Sequence, residues 1–102
     1  MKKGTIEWIN AEDGTVTTDK AFEPPSLEQL QDYVGGFIEV VNVLVDGQAT
    51  QMVVNDEGLI RDMPVNVLAS KHYATYALQE LRCYPPTPIC GNAVLLRGLV
   101  LD

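Results

Sequence analysis

Basic residues are scarce in this 102-residue chain, with 7 Lys and Arg against 14 Asp and Glu for a net charge of −7. That balance disfavours nucleic acid or an anionic membrane held through a general positive field, and a basic partner surface suits it better. A charge of this size also serves simply to keep a small domain soluble. Cysteine is almost missing, with only Cys83 and Cys90, so no disulfide framework is expected. Met1-Lys2-Lys3 leads into Gly4, Glu7 and Trp8 rather than an apolar run, so no secretory signal is expected and a cytoplasmic location with reduced thiols is. Every apolar run is interrupted well short of the ~20 residues that a membrane helix needs, and no membrane partner is expected.

Chemistry-bearing motifs are missing as well. Gly35-Gly36 precedes a strand instead of opening a helix, so it is no phosphate loop. No nucleophile motif is present. His72, Cys83 and Cys90 are spaced by eleven and seven residues, unlike the paired CxxC of a compact zinc module. His72 is followed by Tyr73-Ala74 rather than by the glutamate that a zinc deaminase needs. No metal and no cofactor is therefore expected, and the thiols should be free unless the intervening bridge folds back to within ~7 Å.

What is present is ordinary globular material, 46% apolar and 21% charged, enough for a single domain over 1–102 with its own core. Thr5–Ile9 and Thr15–Thr18 read as a hairpin about Glu12-Asp13-Gly14. Pro24-Pro25 makes the following connection extended. Ser26 with Gln29 forms a capping box, Leu27, Leu30, Tyr33 and Val34 line one helical face, and Gly35 supplies a left-handed stop. From Phe37 to Val45 both alternating faces are largely apolar, which predicts a central strand. Asp46-Gly47 turns it into a partner strand over Ala49–Val54, closed by Asn55-Asp56-Glu57-Gly58. Leu59-Ile60 could add a short strand. Asn66 caps a second helix whose face runs through Ala69, His72, Tyr73, Tyr76 and Ala77 to an end near Arg82. Tyr84–Pro88 is a rigid proline-rich bridge, Ile89–Leu96 a last strand with a bulge at Gly91, and Leu99-Val100-Leu101 an apolar tail. The order predicts an α+β domain: a mainly antiparallel sheet of about five strands with two helices packed on one face.

With the elements placed, the segments VGGFIEVV (34–41), MVVNDEGL (52–59), MPVN (63–66) and ICGNAVLL (89–96) resemble the family grouped as domain of unknown function 3846, small proteins of phages, prophages and other mobile elements. The resemblance runs from Leu27 to Leu96 without the N-terminal hairpin or the proline-rich bridge. It implies a phage or mobile-element origin and expression inside a bacterial cell as an accessory protein, and it carries no activity. The matched positions are Gly35, Gly36, Glu39, Asn55, Glu57, Gly58, Pro64, Asn66, Ala69 and Gly91. Turn, bulge and cap chemistry explains most of them. Glu39 and Glu57 are left over. A strand carboxylate and a turn carboxylate could converge with Asn55 and Asn66 in a small polar binding pocket at one end of the sheet.

The functional expectation is a non-catalytic accessory protein that binds a host protein or a small metabolite. Two alternatives stay open: a small enzyme using Glu39 and Glu57 as acid and base, and an acidic DNA mimic. The mimic is restrained by loose clustering of the acids at Glu12-Asp13, Glu28-Asp32 and Asp56-Glu57-Asp62. A homodimer through strand pairing or tail exchange is a further expectation.

Overall fold

Antiparallel pairing absorbs the longer β-rich runs. In the computed structural model, which describes residues 3–83 and 87–101, five strands form one sheet in the order β2-β1-β5-β4-β3, every neighbour antiparallel. The strands are β1 (Gly4–Ile9), β2 (Val16–Ala21), β3 (Ile38–Val45), β4 (Gln48–Asn55) and β5 (Ala93–Arg97), and the helices are α1 (Leu27–Val34) and α2 (Val67–Tyr76). The α+β class and the five-stranded antiparallel sheet are as the sequence predicts.

The placement of the helices is not as predicted. They cover opposite faces of the sheet. Leu30 and Val34 of α1 pack with Ile6, Val53, Val94 and Leu96, whereas Ala69 of α2 packs with Ile9, Val43, Met52, Val54 and Leu95. The reason lies in the strands themselves. Residues 93–96 are all buried, so consecutive side chains of β5 enter opposite cores, and one layer of helices could not cover both. The chain crosses over one face through α1, from the β2 edge of the sheet to the β3 edge, and returns over the other through α2.

Local chemistry sets the element ends. The Ser26 hydroxyl accepts the Gln29 N–H at 3.2 Å while the Gln29 side chain accepts the Ser26 N–H at 2.9 Å, and Gly35 ends α1 at φ 84°. Asp46 and Gly47 both take positive φ, the type of turn that matches the twist of a two-residue hairpin. Three further expectations are corrected. Phe37–Val45 is not a central strand: it becomes β3, at the edge of the sheet and paired only with β4. Leu59-Ile60 is part of a run of turns rather than a strand, since Gly58, Asp62 and Met63 donate into short-range carbonyls. The last strand starts at Ala93, not Ile89. Residues 89–92 form a separate connection in which Cys90 bridges Val65 and Gly91 takes φ 91°.

After α2 the chain makes a π-helical turn, Ala77–Leu81, and stops at Arg82 in a left-handed conformation. Tyr84, Pro85 and Pro86 of the expected proline-rich bridge lie outside the described residues, as do Met1, Lys2 and Asp102. The apolar tail lies on its own sheet: Leu99 is buried in the α1-side core, and the Leu101 N–H donates to Gln51 Oε1 at 2.8 Å. Among the described residues no helix is long and apolar enough to cross a membrane.

Candidate functional site

The residues singled out in the sequence divide into two groups. Asn55 and Asn66 are consumed by the fold. Asn55 Nδ2 donates to the Val34 carbonyl at 3.0 Å and its Oδ1 accepts the Glu57 N–H at 2.7 Å, which ties the end of α1 to the turn after β4. Asn66 caps α2 through Ala69 N–H at 3.1 Å and donates Nδ2 to the carbonyls of Ile9 at 3.2 Å and Gly91 at 3.1 Å. It is 1% exposed, with every polar atom paired. Such a side chain has nothing left to offer a ligand.

Glu39 and Glu57 make up the second group, and both are exposed. Glu39 stands at the start of β3 opposite Val54, on the face that α2 covers further along. It borders a recess of about 110 Å³ with Asn55, Asp56, Gly58 and Cys90, and the lining includes neither Glu57 nor Asn66. The four predicted residues therefore do not form one pocket. The recess is far below the ~300–1,000 Å³ of ordinary ligand sites. Cys90 is buried, Cys83 is exposed, and both thiols are free. Among the described residues no group of three His, Cys, Asp or Glu side chains could hold a metal ion.

His72 is half-buried on α2, and loss of water holds its imidazole below the ordinary histidine range, with Lys71 and Arg97 acting in the same direction and Glu7 and Asp46 against it. Arg97 is committed elsewhere, bonding Glu7 at 3.3 Å and Asp46 at 2.8 Å.

A larger concavity among the described residues was not legible as a motif. Leu30 and Val34 seat α1 mainly over β4 and β5, and its flank reaches β1 only at Ile6 and Trp8, so the sheet beyond them toward β2 is left open. The register pairs Ile6 with Asp19 and Trp8 with Thr17, and the side chains of Ile6, Trp8 and Asp19 line a groove. One part, about 540 Å³, is lined by Ile6, Trp8, Asp19, Phe22, Glu23 and Gln29 among others. A second part, about 400 Å³, is lined by Trp8, Gln29, Asp32 and Tyr33, so the two meet at Trp8 and Gln29.

Trp8 is fixed from two sides. Its Nε1–H donates to Asp19 Oδ2 at 2.9 Å, and its ring stands edge-to-face with Tyr33, centroids 5.0 Å apart at 72°. Burial, with the Asp13 charge adding, pushes the Tyr33 phenol above its ordinary range, so it stays a neutral donor at physiological pH. The Tyr33 carbonyl accepts Asn92 Nδ2 at 3.1 Å, and Asn92 Oδ1 accepts the Ala11 N–H at 2.9 Å, which clamps the first hairpin to the end of α1. Asn92 holds the groove's shape; only the turn-forming character of Gly91-Asn92 hinted at it. The ammonium of Lys3, which lines neither part, lies 5.4 Å from the Phe22 ring centroid.

Comparison with known proteins adds one result. The family model described as domain of unknown function (DUF3846) matches residues 6–99, and the chain belongs to that family. The match takes in β1 and β2, and with them the groove, which the sequence resemblance from Leu27 onward had left out. No curated protein and no solved structure matches the chain.

Proposed function

We propose that this member of the family is a non-catalytic accessory protein of a phage or prophage, acting in the cytoplasm of a bacterial host by binding a host protein or a small metabolite, and that it binds in the Trp8 groove. The observation that carries the reading is the contrast between two concavities. The Trp8 groove has ligand dimensions and presents the aromatic rings of Trp8, Phe22 and Tyr33 beside polar groups. The recess at Glu39 holds little more than water, and neither Glu39 nor Glu57 is desolvated as a catalytic acid would be. The enzyme reading loses its motive on that ground. The DNA-mimic reading keeps the net charge of −7 as support, but its acids come in short, irregularly spaced groups on the first turn, on α1 and after β4 rather than in the dense regular array that a mimic of phosphates needs.

The test is a pull-down from bacterial lysate with wild-type protein and Trp8→Ala, each analysed for co-purified proteins and small molecules. A partner or ligand retained by the wild type and lost with Trp8→Ala supports the reading. Recovery of nothing, or equal recovery by both, overturns it. A homodimer is also proposed, through the outer edge of β3, which pairs on one side only and leaves Val40 and the adjoining Phe37 exposed. Tail exchange has less support because Leu99 and Leu101 pack on their own sheet. Light scattering across a concentration series decides between monomer and dimer.

A further inference from the structure

We infer that the Trp8 groove accepts a lysine or arginine side chain presented by a basic segment of a partner protein. The inference rests on the groove being the binding surface and specifies what that surface recognises.

The lining carries the argument. Trp8 and Phe22 offer aromatic faces, and Asp19 and Glu23 offer carboxylates beside them, with Asp32 next to Trp8 in the adjoining part; no basic residue lines either part. An aromatic ring attracts a cation through its negative face, and the attraction is strongest at tryptophan. The Asp19 carboxylate accepts the indole N–H, which fixes the ring plane and shifts electron density toward the ring. A cation on that ring gains the nearby negative charge as well. Neutral apolar ligands would gain nothing from these carboxylates and would have to strip them of water.

The chain's own cations leave these acids unmatched. Among the described residues neither Asp19 nor Glu23 has an ion-pair partner. Lys20, next to Asp19 on β2, points to the other face of the sheet and bonds Thr5 at 3.2 Å, while Arg97 is held by Glu7 and Asp46. Lys3 lines neither part, but its ammonium lies 5.4 Å from the centroid of the Phe22 ring, so one ring of the groove already holds a cation. The net charge of −7 favours approach of a basic segment over an acidic one. A side chain on a folded or extended partner segment also suits an open groove between two elements better than a free amine, whose capture calls for an enclosed site.

Trp8 is the only tryptophan of the chain, so its fluorescence reports on the groove directly. The full chain is titrated with capped hexa-arginine and hexalysine peptides, with arginine amide, and with a neutral glycine-serine peptide of equal length. The expected result is a saturable change in Trp8 emission with the two basic peptides and none with the neutral one. Asp19→Asn with Glu23→Gln should weaken binding about tenfold, the effect of losing ~1.4 kcal/mol. Asp56→Asn with Glu57→Gln removes the same net charge in the turn after β4, outside the lining of both parts, and should weaken it less than about twofold. Asparagine at position 19 still accepts the indole N–H, and unchanged far-UV circular dichroism and urea midpoint establish that each variant is folded.

Equal weakening by the two double variants would reduce the effect to general attraction and overturn the inference. No emission change with any basic peptide would also overturn it. Arginine amide binding as tightly as hexa-arginine would overturn the partner-segment part in favour of a small cation. A lysate partner lost with Trp8→Ala, combined with silent basic peptides, would leave the groove as the binding surface and remove only its preference for cations.

Discussion

Asn66→Ala is expected to unfold much of this protein's stability margin, and the magnitude follows from its partners. The side chain is 1% exposed and makes three hydrogen bonds, one cap bond to Ala69 and two donations to the carbonyls of Ile9 and Gly91. Loss of the cap costs about 1 kcal/mol. Each buried carbonyl left without a donor costs about 1–3 kcal/mol more. The low end, about 3 kcal/mol, is a large share of the about 5–15 kcal/mol of a typical domain and lowers Tm by ~12–24 °C. Urea unfolding followed by Trp8 fluorescence should show a lower midpoint with an unchanged slope. Asn66→Asp separates the terms, because it keeps the cap acceptor but aims carboxylate oxygen at two carbonyls. It should cost at least as much as alanine at pH 7 and less in acid, where the protonated carboxyl regains a donor. If aspartate at pH 7 restored what alanine loses, the cap alone would account for Asn66, and the pinning of β1 and residue 91 to α2 would be refuted.

Three further outcomes are expected. For His72 the folded pKa lies below the unfolded one, so the unfolded chain binds more protons and stability should fall as pH drops from about 6.5 through the folded value, then level off. The difference in urea midpoint between wild type and His72→Gln, measured from pH 5 to 7.5, isolates that slope, and a constant difference would remove His72 as its source. Gly58→Ala should cost about 1–3 kcal/mol or more, because its Cβ would collide with the backbone carbonyl of Cys90. Gly47→Ala, in open space at φ 77°, should lose only the about 1–2 kcal/mol of a left-handed conformation, and an equal cost at both positions in thermal melts would contradict the close approach. Glu39→Gln and Glu57→Gln should each change stability by less than about 0.5 kcal/mol, as surface substitutions do. A larger loss in urea titration for either would show that the carboxylate carries an interaction that its exposed position does not reveal.

Local chemistry was legible wherever it acts over a few residues. The Ser26–Gln29 capping box, the Gly35 stop, the Asp46-Gly47 turn and the Asn66 cap all appear where the sequence places them. The helices' placement was equally encoded and was misread. Met52–Val54 and Ala93–Leu96 are apolar on both faces, and strands of that kind require cover on both, which excludes two helices on one side; Phe37–Val45, read as the central strand, is instead the edge strand β3. The short strand at Leu59-Ile60 failed for a different reason. Two exposed apolar residues between turn formers have β propensity but no neighbouring strand, because β5 takes the free edge of β4 and β3 the other.

The candidate site shows why side-chain identity is a weaker guide than pairing. Asn55 and Asn66 were grouped with Glu39 and Glu57 because all four are polar residues in apolar surroundings, but burial separates them: the amides satisfy backbone groups inside, and the carboxylates remain in water. No spacing along the chain joins Trp8, Asp19, Phe22 and Tyr33, since β1, β2 and α1 contribute them separately. The hairpin register does join some of them. Alternation puts Ile6 and Trp8 on one face, and the turn at Glu12-Asp13-Gly14 then sets Asp19 opposite Ile6. From that pairing alone follows a carboxylate one residue pair from the only indole, on a strand whose partner β2 is exposed almost throughout. Such a face must be polar by default or occupied by something else, and a tryptophan there is an expensive choice for a surface that binds nothing.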